Sequence, residues 1–302
     1  PFGRAQSGWD METLLHGQRE GTEASIEWEL FTFRNGALMV QELLKNRDYR
    51  LLWGLLVASG IALWLRILGT AQALLDSEGE PWRVGLIGAI QLVVQIPALL
   101  WGGTLADRVN RKTLMLVANS LSAAAMGLLG LLGTKGSMPS ELIYLAIALT
   151  AATQMFANPA RAALAAAVLP PEQLMRGTSI DNGTGNACAV AGPLLFAVLT
   201  TQLGLGGTFL VAATLSALAA ILPLTLRCSG RIAEGAAPST AWQATVAGVR
   251  YVAHHPILPG LFLLDTGITV VSFYREILPV LALGMFAGGA GATGLLGSAN
   301  AA

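Results

Sequence analysis

The residues with the most chemical potential are charges set among apolar neighbours. Residues 101–113 read WGGTLADRVNRKT and place Asp107 beside Arg108, Arg111 and Lys112, directly after the paired Gly102 and Gly103. Arg66 stands alone in LLVASGIALWLRILGTAQALL, and Asp265 stands alone in LFLLDTGITV. A lone ionisable group in apolar surroundings suits two tasks: holding an ion of opposite sign, or carrying a proton. Bond-making chemistry has no comparable foothold. The chain contains no HExxH, no GxSxG and no phosphate-cradling GxxxxGK[ST], so neither an enzyme nor ATP hydrolysis is expected. The histidines are His16, His254 and His255; the adjacent pair lacks helical i,i+4 spacing and has no nearby cysteine, so no metal site is expected. Cys188 and Cys228 form no CxxC and imply no disulfide framework. No cofactor is expected.

What positions these charges follows from composition. The chain has 302 residues, 54% hydrophobic and 12% charged, with mean hydropathy +0.60. A soluble domain carries roughly 25% charged residues. The formal net charge is zero, which gives no general attraction to nucleic acid. Apolar runs of about 18 residues or more mark membrane-spanning helices. Seven such runs are present, at roughly 51–75, 84–105, 113–133, 142–160, 179–203, 207–226 and 258–282, and an eighth begins near 291. The expected fold is therefore all-α and integral to the lipid bilayer. Its expected parts are a polar segment 1–44, a six-span bundle 45–226, a central loop 227–257, and span seven with the start of span eight at 258–302. Within the loop, Trp242, Val246, Val249 and Val252 have the spacing of an amphipathic surface helix. The first residue is Pro and residues 1–40 show no signal-peptide pattern, so an incomplete or processed chain is expected.

Lys and Arg set the orientation. Arg4, Arg19, Arg34, Lys45, Arg47 and Arg50 precede the first span. The 101–113 bridge, the Arg161 and Arg176 flanks of the fourth bridge, and the central loop add more on the same side. The opposite side has Arg83, Lys135 and Arg275. The N-terminus and the charged bridge are expected to face the cytoplasm, in a multi-pass protein of the inner membrane. GLIGAIQ at 85–91 echoes GLLGSAN at 294–300, as parallel halves of a transporter would, although a composition rich in Gly, Leu and Ala produces such echoes by chance.

The charged bridge has a plain physical use. Gly102 and Gly103 let helices approach closely in lipid. Asp107 can dock on the positive end of another helix. The cations hold the loop at the cytoplasmic face. Asn110 tolerates a left-handed turn. GTLADRVNRK, residues 103–112, also resembles the G-x-x-x-D-R-x-G-R-K signature of the major facilitator superfamily, with Asn110 in place of the usual Gly. The stretch 157–180, ANPARAALAAAVLPPEQLMRGTSI, with AGPLL at 191–195, AGVRYVAHHPIL at 247–258 and ILPVLA at 277–282, is similar to the enterobactin-exporter and macrolide-efflux branch. The resemblance covers about 45–302. It implies two six-span halves, hence a truncated chain here that is inactive alone. It implies a conformational switch of Gly103, Asp107, Arg108, Arg111 and Lys112. It also implies an antiporter-like element in span five, where Cys188-x-x-x-Gly192-Pro193 is close to G-x-x-x-G-P but has Cys for the first Gly. An ordinary Pro-kinked span reads the same residues equally well.

Arg66 falls near the middle of span one, too deep to snorkel. It either faces a central cavity and binds an anionic substrate or an internal acid, or forms a buried structural pair. Trp64 is expected to line the cavity beside it. Gln91 and Gln95 share one face of span two, for cavity lining or interhelical bonding. Asp265 is a candidate proton carrier, or a tie between helices. Arg275 and Glu276 are read as an outer gate pair or as solvated. Together these readings imply a secondary active transporter, a proton-coupled exporter of small amphipathic molecules (drug, macrolide or siderophore), monomeric when full length. Its partners would be the small-molecule substrate, protons and the bilayer. The alternative is a lipid flippase, facilitator or non-transporting membrane protein on the same fold.

Overall fold

The computed structural model describes residues 43–78, 81–106, 109–227, 250–271 and 290–301. The chain divides at Arg47 into two units, Pro1–Arg47 and Asp48–Ala302. Of the first, only a short helical turn is described, in which Asn46 N–H donates to the Leu43 carbonyl at 3.1 Å.

The second unit is built from helices, with no strand among the described residues. In chain order these are α1 (Arg47–Glu78), α2 (Pro81–Ala106), α3 (Arg111–Thr134), α4 (Ser140–Val168), α5 (Pro171–Ile221), α6 (Leu258–Val271) and α7 (Ala290–Ala301). A 3₁₀ turn, Leu222–Thr225, follows α5. Four stretches among the described residues, Arg47–Ser77, Arg111–Thr134, Ser140–Val168 and Pro171–Thr225, are long and apolar enough to cross a membrane. In α2 the shorter apolar stretch is Trp82–Ala98. Large apolar side chains point outward along these helices, among them Val93, Leu128, Leu145 and Val198. Such a surface would be a liability in water and is the natural one in hydrocarbon.

Two apolar clusters fill the interior. One gathers Leu65, Leu68 and Leu74 of α1, Ile87 of α2, Met126 and Leu129 of α3, Ile143 of α4, and Phe196 and Phe209 of α5. The other gathers Leu52 and Leu55 of α1, Leu114 and Met115 of α3, Ala160 and Leu164 of α4, and Ala219 of α5.

The expected spans five and six both fall within α5, and the LGLGG bridge between them is where the helix breaks. Gly204 has φ 70° and ψ 177° inside α5. The Thr200 and Thr208 hydroxyls lie 3.3 Å apart. Eight residues of straight helix would separate them by about 12 Å, so the chain folds back at Gly204. Beyond the break, Gly206 packs on α3. A Cβ there would sit 2.5 Å from the Thr134 nitrogen, an approach only a glycine permits.

Two expectations change here. The fourth span does not stop at 160: α4 runs through Pro159 and Arg161 to Val168. Asn110 does not adopt a left-handed turn. It has φ −56° and ψ 122°, and its side chain accepts from Lys112 N–H at 3.0 Å, making it the N-cap of α3. An orphan amide at the start of α3 outweighs the left-handed option that asparagine also has. Most of the amphipathic segment expected at 242–252, the second half of the expected span seven, and Arg275 and Glu276 lie outside the described residues.

Candidate functional site

Between the two apolar clusters lies a cavity of about 170 Å³, walled by α1, α3, α4 and α5. Its apolar lining residues include Leu55, Leu56, Leu63, Trp64 and Met115, and its polar ones Ser59, Asn119, Gln154, Asn158 and Arg161. Gly60, Gly185 and Cys188 complete the α1–α5 side. A mostly apolar cleft with a few convergent polar groups is the usual form of a small-molecule site.

The α1–α5 contact is close because its residues are small. The Cys188 sulfur meets Gly60, where an added Cβ would lie 3.1 Å away. One turn on, Gly192 faces Trp64, and Pro193 beside it is buried in the same helix. Trp53 donates from Nε1 to the Thr184 hydroxyl at 2.9 Å, a further tie between α1 and α5. On another side of α5, Ser298 of α7 donates to the Val190 carbonyl at 3.1 Å.

A charged group that sequence reasoning treated only as a flank proves central. Arg161 Nη1 lies 2.7 Å from Asp181 Oδ2, both side chains partly exposed. Asp181 Oδ1 accepts from the Tyr49 hydroxyl at 3.3 Å, and Tyr49 is fully buried. The pair joins α4 to α5, and Tyr49 ties α1 to α5. Each charge lies inside a long apolar helix, which is the signal that could have found the pair. Twenty residues of sequence separation hid that they meet.

Arg66 is buried and donates from Nη1 to the Thr150 hydroxyl of α4 at 3.1 Å. It is not among the cavity's lining residues, whereas Trp64 is. A polar seam runs on from there: Ser122 of α3 and Thr153 of α4 share a 3.0 Å hydrogen bond. Gln91 and Gln95 are half-buried on α2 and are not among the residues that line this cavity. Asp265 is exposed on α6.

Of the charged bridge, Gly103 belongs to the helical end of α2, while Asp107 and Arg108 lie outside the described residues. Arg111 Nη1 reaches the Ala163 carbonyl at 3.5 Å, and Lys112 Nζ donates to the Leu226 carbonyl at 2.6 Å. A cation on the carbonyls that end a helix is favourably placed. Asp48 accepts from the Arg227 amide at 3.1 Å, so the starts of α1 and α3 are both tied to the segment that follows α5.

Comparison with known proteins agrees with this architecture. The chain is 29% identical over 207 residues to the enterobactin exporter EntS of Salmonella choleraesuis (strain SC-B67), covering 67% of this chain and 48% of that protein. It is 26% identical over 217 residues to the multidrug efflux pump Tap of Mycobacterium tuberculosis (strain ATCC 25618 / H37Rv), covering 68% and 51%. The chain thus spans about half the length of the curated relatives it matches. The family model of the Major Facilitator Superfamily matches residues 48–302. With its membrane-length helices, its glycine-mediated packing and that match, the chain is a membrane protein and belongs to the Major Facilitator Superfamily.

Proposed function

We propose that the protein is a secondary active exporter that carries small amphipathic molecules out through the inner membrane. The single observation behind this reading is the cavity between the helices, lined by Trp64 and leucines together with amides and a guanidinium. The names of the relatives, an enterobactin exporter and a multidrug efflux pump, point the same way. In this reading two halves rock about a midplane site and open it alternately to each face. Proton antiport supplies the drive, with Asp265 as the carrier. Gly103, Asp107, Arg108, Arg111 and Lys112 form the switch at the cytoplasmic face, where the N-terminus also lies. Arg66, Trp64, Gln91 and Gln95 belong to the substrate pathway. Cys188, Gly192 and Pro193 form the packing element of span five. The complete transporter works as a monomer with residues 45–226 as its first bundle and 227–257 as the loop between halves.

The test is transport by the intact transporter in liposomes that contain a pH-sensitive dye, under an imposed proton gradient, with Asp265→Asn and Asp107→Asn for comparison. Cargo movement that dissipates the gradient, lost in Asp265→Asn, supports the antiporter. Cargo movement without proton flux replaces it with a facilitator or a lipid-moving protein on the same fold.

A further inference from the structure

We propose that Arg161 is the recognition group of the cavity and that it selects anionic amphipathic molecules, with a carboxylate or phenolate head, over lipophilic cations. The inference rests on the exporter reading for its biological meaning and on local geometry for its content.

Arg161 is the one charged residue among those that line the cavity; its partner Asp181 is not among them. A guanidinium offers five N–H donors in a fixed fork. Only Nη1 is engaged, by Asp181 at 2.7 Å, and the remaining donors have no protein acceptor among the described residues. Asp181 is held in place by the Tyr49 hydroxyl at 3.3 Å, so it fixes one arm of the fork and leaves the rest to the cavity. Among the other lining residues, Gln154 and Asn158 carry amide donors, and Asn119 spends one N–H on the Met115 carbonyl at 2.9 Å. Trp64 and Leu63 add apolar surface to the same lining.

That arrangement matches a molecule with an acceptor-rich head and an apolar body. A planar carboxylate can take two N–H bonds from the fork. A permanent cation can use none of these N–H donors, and no carboxylate lines the cavity to pair with it, since Asp181 is already held by Arg161. Arg161 sits seven residues before the end of α4 at Val168, roughly 10 Å along the helix. The head group would therefore be held about two helical turns from the end of α4.

Two xanthene dyes of opposite charge separate the possibilities: carboxyfluorescein, an anion, and rhodamine 6G, a permanent cation. Binding to the intact protein in zwitterionic nanodiscs is followed by fluorescence anisotropy, with empty nanodiscs subtracted. Wild type is expected to bind carboxyfluorescein more tightly than rhodamine 6G. Arg161→Gln weakens carboxyfluorescein binding by about tenfold or more, the loss of one charge-assisted hydrogen bond, and Arg161→Lys recovers part of it. Asp181→Asn, which removes the competing carboxylate, binds carboxyfluorescein at least as tightly as wild type. If Arg161→Gln is not monodisperse, Asp181→Asn decides, and weaker anion binding by a monodisperse Asp181→Asn overturns the proposal. So does a preference for rhodamine 6G, or carboxyfluorescein binding that is absent or indifferent to Arg161→Gln. Transport of the same dyes in proteoliposomes separates this from the exporter reading. Arg161-dependent binding without transport sinks the exporter and leaves the recognition group. Transport of rhodamine 6G alone does the reverse.

Discussion

Gly192 of α5 stands directly against Trp64 of α1: a Cβ built at 192 would lie 2.5 Å from the Trp64 Cβ. Carbons not linked through the chain do not sit that close, so the two helices owe their separation to the missing methyl. Gly192→Ala is expected to lower stability by about 1–3 kcal/mol through overpacking, read as a shift in thermal unfolding in detergent. Trp64→Ala in the same chain should relieve much of that loss, because residues in contact are not additive. Strictly additive losses in the double variant would refute the contact.

Gly204 is constrained differently. Nothing lies within 4 Å of a Cβ built there, yet its φ of 70° with ψ of 177° is a region that L residues with side chains avoid. Gly204→Ala should therefore cost about 1–3 kcal/mol from backbone strain alone. No substitution of a neighbour would restore it. A neutral Gly204→Ala in the same melting assay would mean that the break in α5 is made in some other way.

Asn110 caps α3 by accepting from Lys112 N–H at 3.0 Å. Asn110→Ala removes the acceptor and is expected to cost about 1 kcal/mol, whereas Asn110→Gly costs only a few tenths. The diagnostic result is this order of the two melting temperatures. If alanine and glycine are equally harmful, the side-chain bond contributes little.

Thr150 accepts a bond from the buried Arg66. Thr150→Val keeps the shape but withdraws an acceptor from a buried cation, a loss of about 1–3 kcal/mol. Chemical denaturation in mixed micelles would measure it, and an unchanged midpoint would show that Arg66 does not rely on this hydroxyl.

These cases also show what the sequence discloses. Lone charges drew attention to Arg66, and hydropathy alone located the long apolar helices. Tight packing at Gly192 was legible as a small-residue motif. Arg161 was not, because Pro159 and Arg161 together look like the end of a span. In lipid a helix tolerates proline when its neighbours satisfy the freed carbonyls, and the alanines after Arg161 carry α4 on to Val168. Its pairing with Asp181 depends on how α4 and α5 are set against each other, which no local pattern encodes. Asn110 was read for the turn it permits, yet its side chain is used for the amide it satisfies.

The break at Gly204 has a stereochemical consequence. The mirror image of its dihedral angles, 70° and 177°, is −70° and −177°, at the edge of the extended region open to L residues, where ψ reaches about 180°. For one exposed residue at the fold-back of α5, the chain is written in the opposite hand. Glycine serves there because it is achiral, and a D-alanine installed by chemical ligation would sit comfortably where its L enantiomer is strained.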